Sequence, residues 1–191
     1  KQLTILHKAG GSQYLSAPVF GRPYAAARGQ LDIVVAGPDA AIARCKPLFG
    51  VLGKQCFTVG TDPPQANIVK IARNFLLGTI IESLGEAFAL TRKSGVDPAT
   101  FLNIITSTSM NAPAYKNYGR MIVDKAYEPT FALKLGLKDV ELALEAARDT
   151  HVPMPVACLL REQHVAAIAR GYGDKDWAAL GEYIAESAGL Y

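Results

Sequence analysis

The feature that most constrains this chain is the stretch that opens at Pro63–Pro64 and runs to Lys93 with no further proline. Proline presets the backbone of a first helical turn, where its missing N–H costs nothing. The pattern predicts one helix of about thirty residues, roughly 45 Å long at about 1.5 Å per residue. Ile68, Ile71, Phe75, Leu76, Ile80, Leu84 and Phe88 do not keep to one narrow face. A helix that is apolar on most sides has to be buried on most sides. In a chain of 191 residues it must be a central helix, or one covered by a second subunit.

The chain reads differently on either side of Pro63. Before it, strand and helix signals alternate: a helix Gln2–Lys8, a short strand Tyr14–Val19, and a β-branched strand Leu31–Ala36. A helix then runs from Pro38–Asp39 through Phe49, Gly53 stops it, and a strand Gln55–Val59 follows. Three strands are too few for a doubly wound sheet of about five or six. After the long helix the signals are helical throughout. Gly95 ends that helix and Asp97–Pro98 caps the next, to Ser107. A polar turn, Ser107–Pro113, leads to a short helix Tyr115–Val123. Further helices are predicted over Phe131–Thr150, Val156–Arg170 and Asp176–Glu186. The two expected domains are therefore 1–62, of α/β texture, and 63–191, all-α.

Composition removes several classes of function. Half the residues are apolar and 19% are charged, which favours a packed core over disorder. A net charge of +3, spread along the chain, is too weak to argue for nucleic acid or an anionic membrane surface. No apolar run approaches the roughly 18 residues of a spanning helix, and the first residues lack the apolar core of a signal peptide. The expected location is the cytoplasm. Cys45, Cys56 and Cys158 are scattered without a CxxC, which excludes a disulfide framework and a cysteine zinc site. Buried or half-buried thiols are expected instead. His7, His151 and His164 are equally dispersed, so no metal site is expected.

Three segments carry candidate chemistry. In Ala17–Pro18–Val19–Phe20–Gly21–Arg22–Pro23 a strand runs into a glycine turn, where free backbone N–H groups can receive an anion; an ordinary strand-ending turn is the plain alternative. In Asn67–Asn74, Lys70 and Asn74 stand four apart and so share a helix face. A lysine there can exchange a proton with a substrate oxygen while the amide orients it. A snorkelling lysine beside a surface asparagine is the structural alternative. In Phe131–Asp139, Gly136 costs about 1 kcal/mol against alanine inside a helix, which signals close packing or ligand approach. Ser107, Ser109, Asn111, Tyr115 and Tyr118 read first as caps and packing residues, with a substrate-lining role as the alternative.

In this order the three segments resemble the β-hydroxyacid dehydrogenase family, which includes 3-hydroxyisobutyrate dehydrogenases and tartronate semialdehyde reductases and is related to 6-phosphogluconate dehydrogenases. The resemblance covers nearly the whole chain but only the later part of the family's length, since the family's GxGxxG half is not matched. It implies an α/β remnant of a Rossmann-like cofactor domain followed by an all-α helical domain, joined by a long interdomain helix. Such a C-terminal fragment, lacking most of the Rossmann half, is expected to be inactive alone.

The family's substrate turn, D-A-P-V-S-G-G, reads Ser16–Ala17–Pro18–Val19–Phe20–Gly21–Arg22 here. Phe20 replaces the serine and Arg22 the second glycine, with Arg22 as an alternative anion partner. The resemblance places the catalytic lysine on Lys70 and the substrate-orienting asparagine on Asn74. Arg73 stands where the family often has a second asparagine. Phe131, Leu135, Lys138 and Asp139 match a helical F-x-x-x-L-x-x-K-D segment, in which Lys138 lies near the cofactor and Asp139 helps hold the site. Substrate binding is thus assigned to Phe20, Gly21, Arg22 and Asn74, and cofactor binding to Phe131, Lys138 and Asp139.

The implied activity is hydride transfer between NAD or NADP and a small hydroxy acid or its aldehyde or keto form, in a homodimer or higher homo-oligomer. The alternative is a non-catalytic dimerisation or binding module on the same scaffold, favoured by Phe20, by Arg22 and by Pro63–Pro64–Gln65–Ala66 in place of the family's glycine-rich approach to the lysine.

Overall fold

The computed structural model describes residues 2–190. Its elements in chain order are α1 (Gln2–Ala9), β1 (Val19–Phe20), α2 (Pro23–Ala27), β2 (Leu31–Ala36), α3 (Asp39–Leu52), β3 (Gly53–Gly60) and α4 (Pro64–Lys93). Then come α5 (Pro98–Ser107), α6 (Pro113–Val123), α7 (Leu133–Thr150), α8 (Pro155–Ala169), a single 3-10 turn at Trp177–Ala179 and α9 (Leu180–Ser187). The chain divides into two compact units at Arg73 and Asn74, within α4.

The first unit is built on a three-stranded sheet in the order β1-β2-β3. β1 runs antiparallel to β2, and β2 runs parallel to β3 through α3. β2 is the central strand and is buried on both faces, hence its nearly unbroken apolar run. Leu31, Ile33 and Val35 pack on one side with Phe49 of α3. Val34 and Ala36 pack on the other with Ala66 at the start of α4. The strand expected over Tyr14–Val19 is shorter than predicted. Ser16 makes a lone bridge to Ala36, and regular pairing begins only at Val19. Pro18 between them has no N–H to donate, although its carbonyl accepts from Val34 N–H at 3.0 Å. β3 is an edge strand, and residues 54–58 are all exposed. Cys56 lies among them and Cys158 is exposed on α8, so only Cys45 is half-buried as expected.

The second unit is helical, with its core around Ile81, Leu84 and Phe88 of α4, Leu133, and Trp177–Leu180. α5 starts as its sequence predicts: the Asp97 carboxylate accepts from Thr100 N–H at 2.8 Å and Pro98 follows at the first helical position. α7 begins at Leu133, two residues later than expected. The buried Asp176 carboxylate accepts from the backbone N–H groups of Thr130 and Phe131, and Phe131 C=O accepts from Trp177 N–H. These bonds hold Phe131 in a bend outside the helix. Asp176 also accepts from Ala178 N–H, so the last helical segment opens as a 3-10 turn before α9. Gly136 is explained by packing. A Cβ there would come within 2.5 Å of Trp177 Nε1. No helix among the described residues is long and apolar enough to cross a membrane.

Candidate functional site

In the first unit, one row of α4 meets the segment around β1 at three points. Asn67, Lys70 and Arg73 follow at three-residue intervals and so lie along one side of the helix. Ser16 Oγ donates to Asn67 Oδ1 at 3.1 Å. Lys70 Nζ donates to the Val19 carbonyl at 3.1 Å. The Arg73 guanidinium lies over the Phe20 ring, 4.7 Å from its centroid. Lys70 is half-buried, and an ammonium has three donors. One is spent on Val19, which fixes the side chain and leaves two for a substrate oxygen. The chain then turns at Gly21, whose φ of +139° is a region that favours glycine. A Cβ at Gly21 would also sit 2.8 Å from Leu31 Cδ2. Arg22 follows, half-buried, as the residue that enters α2.

In the second unit, Asn74, Lys138 and Asp139 come together. Asn74 Nδ2 donates to Asp139 Oδ2 at 2.6 Å, although the two residues are 65 positions apart. Lys138 Nζ lies 3.0 Å from Asp139 Oδ1. Asn74 and Asp139 are buried, and the carboxylate acts as acceptor to both neighbours. Because an ionised carboxylate only accepts, it decides which way round the Asn74 amide sits. The Lys138 ammonium keeps more than half its surface open.

The structure thus brings Phe20 and Lys70 together in one group, with Gly21 and Arg22 next in the chain, and Asn74, Lys138 and Asp139 in another. Phe131 is half-buried. Its ring packs on Trp177 at 5.2 Å between centroids, as part of the helical core. Tyr118 is buried in that core and Tyr115 packs against it, while Ser107, Ser109 and Asn111 are exposed. Sequence reasoning missed the Arg73–Phe20 and Ser16–Asn67 contacts. The available signal was the spacing 67, 70, 73, which marks one side of a helix. Among the described residues no group of three His, Cys, Asp or Glu side chains could hold a metal ion.

Comparison with known proteins adds the wider setting. Residues 65–184 match the family profile described as NAD-binding of NADP-dependent 3-hydroxyisobutyrate dehydrogenase. Residues 1–60 match the NAD binding domain of 6-phosphogluconate dehydrogenase. An uncharacterized oxidoreductase, YfjR, of Bacillus subtilis is 41% identical over 181 residues, covering 94% of this chain and 63% of its own length. Glyoxylate/succinic semialdehyde reductase 1 of Arabidopsis thaliana is 34% identical over 174 residues, covering 91% and 60%. The crystal structure of 3-hydroxyisobutyrate dehydrogenase from Salmonella typhimurium superposes with a TM-score of 0.86 at 26% identity, covering 95% of this chain and 64% of that one. The chain therefore spans about three fifths of the length of these relatives.

Proposed function

This chain belongs to the β-hydroxyacid dehydrogenase family of NAD(P)-dependent oxidoreductases, which includes 3-hydroxyisobutyrate dehydrogenase, and on that premise we propose that the intact protein interconverts a small hydroxy acid and its aldehyde or keto form. The observation that carries the proposal is the tethered Lys70, held by the Val19 carbonyl at the mouth of the Phe20–Gly21–Arg22 turn. The nicotinamide of NAD or NADP, when bound, takes or supplies the hydride. Lys70 handles the other half of the reaction. In oxidation its neutral amine takes the hydroxyl proton as the carbinol carbon becomes a carbonyl; in reduction the ammonium returns that proton to the oxygen. Asn74, one helical turn along α4, orients the same oxygen, and Asp139 fixes the Asn74 amide. Gly21 and Arg22 complete the substrate turn.

The residues of the second unit suit an anionic dinucleotide. Lys138 is an accessible cation steadied by Asp139, and we assign it to the cofactor together with Phe131 and Asp139. The chain carries no GxGxxG, so the main phosphate cradle is not assigned to any residue here. The proposed domains are 1–62 and 63–191, although the two compact units divide later, at Arg73 and Asn74 within α4. The intact protein is a cytoplasmic homodimer or higher homo-oligomer. The relatives are named as oxidoreductase, reductase and dehydrogenase, and they give no support to a non-catalytic module.

The test follows NADPH and NADH oxidation by the intact protein on a panel of small aldehyde and keto acids. Lys70→Ala is expected to lower turnover by about 10²–10⁴-fold while cofactor still binds. Turnover indifferent to Lys70, or none on any acid, would move the reading to a binding module.

A further inference from the structure

We infer that Arg73, braced on Phe20, anchors the carboxylate of the substrate, and that this pair makes the site select acids over neutral carbonyl compounds. The inference rests on the dehydrogenase reading for what the substrate is, but its geometry stands apart from the hydride chemistry. Arginine stays charged at any working pH and presents a planar fork that matches a carboxylate with two parallel hydrogen bonds. Stacking on an aromatic face uses the flat side of the guanidinium. With its charge 4.7 Å from the Phe20 ring centroid, the guanidinium is braced by the ring, and part of its side-chain entropy is spent before a ligand arrives.

The neighbours support an anion. Lys70 precedes Arg73 by three residues on the same row of α4, so their Cβ atoms lie about 5–6 Å apart. That spacing suits a small acid whose hydroxyl-bearing carbon is one or two bonds from the carboxylate carbon: oxygen toward Lys70, carboxylate toward Arg73. The segments that meet here carry no acidic residue from Ser12 to Leu31 or from Pro63 to Ile81, while they carry Arg22, Arg28, Lys70 and Arg73. Both Phe20 and Arg73 depart from the family pattern, and they touch each other. A serine in place of Phe20 would offer a hydroxyl but no platform, so each change makes sense with the other.

The test measures binding to the intact holoprotein with reduced cofactor bound, where a hydroxy compound forms a dead-end complex. The probes are 3-hydroxypropanoate and the uncharged 3-hydroxypropanamide, titrated calorimetrically. Wild type should prefer the acid. Arg73→Gln should weaken the acid by about ten- to a hundredfold, as expected for a lost charge-assisted pair, and leave the amide unchanged. The retained amide affinity then shows that the variant is folded. Phe20→Leu, which keeps apolar volume but removes the ring, should fall between.

Equal losses for acid and amide in Arg73→Gln would overturn the inference, as would an unchanged acid affinity. A drop in NADPH affinity with the acid-to-amide ratio intact would assign Arg73 to a cofactor phosphate and also overturn it. The two readings fail separately. Arg73-dependent acid binding without Lys70-dependent turnover would sink the dehydrogenase reading and keep the anchor, and the reverse would sink the anchor alone.

Discussion

Glu82 is buried in the second unit, 5% exposed, and neither carboxylate oxygen makes a hydrogen bond. Burial and the neighbouring Glu86 push its carboxyl up to about 7. Folding therefore favours its protonated form. The stability it permits at low pH is lost as pH rises from about 4.5 through about 7, by an amount of order 3 kcal/mol. Glu82→Gln should leave stability nearly unchanged at pH 5 and raise it at pH 8; urea unfolding at the two values checks this, and an equal effect at both would refute it. His164 acts in the opposite direction. It is fully buried, its Nδ1–H donates to the Leu160 carbonyl, and its Nε2 accepts from Trp177 Nε1–H at 2.6 Å. This arrangement needs the neutral ring, and burial holds its pKa below the usual histidine value. Its contribution is present above about pH 6.5 and lost as pH falls below that. Neither role was legible in the sequence, because a glutamate and a histidine in helical segments read equally well as surface residues.

At the scale of elements, α4 was readable to the residue, because Pro63–Pro64 and Gly95 punctuate it and nothing inside it competes. α5 was readable for the same reason, through Asp97. Asp97→Ala should cost about 1 kcal/mol, the usual worth of an N-cap, measurable as a lower urea midpoint. The start of α7 was not readable. Nothing local says that Asp176, far along the chain, takes the N–H groups of Thr130 and Phe131. Gly136 left two readings open, and contact with Trp177 decides for packing. Gly136→Ala should destabilise by about 1–3 kcal/mol through overpacking, despite alanine's better helix propensity. A neutral or stabilising result in thermal unfolding would show that Trp177 yields easily.

For the whole molecule, the expectation that α4 is buried on most sides is met only in part. Ile81, Leu84 and Phe88 are buried, but Leu76 and Leu90 remain 59% and 71% exposed. Burying two such leucines favours association by about 1.5–3 kcal/mol each, which is the physical basis for the proposed homo-oligomer. Light scattering on the intact protein should give at least twice the monomer mass, and Leu90→Glu should lower it. A monodisperse wild-type monomer would remove this argument.

By itself the sequence determined the longer helices, the strands β2 and β3, and where the long helix begins and ends, but neither α2 nor the short extent of β1. What it determined is local, set by proline, glycine, capping groups and the period of apolar residues. The tertiary structure decided the partners: Phe20 under Arg73, Val19 against Lys70, Asp139 against Asn74, and Asp176 against the chain before α7. Each joins groups more than forty residues apart. Spacing along one helix shows which side chains share a face, but only the packed fold shows what that face meets.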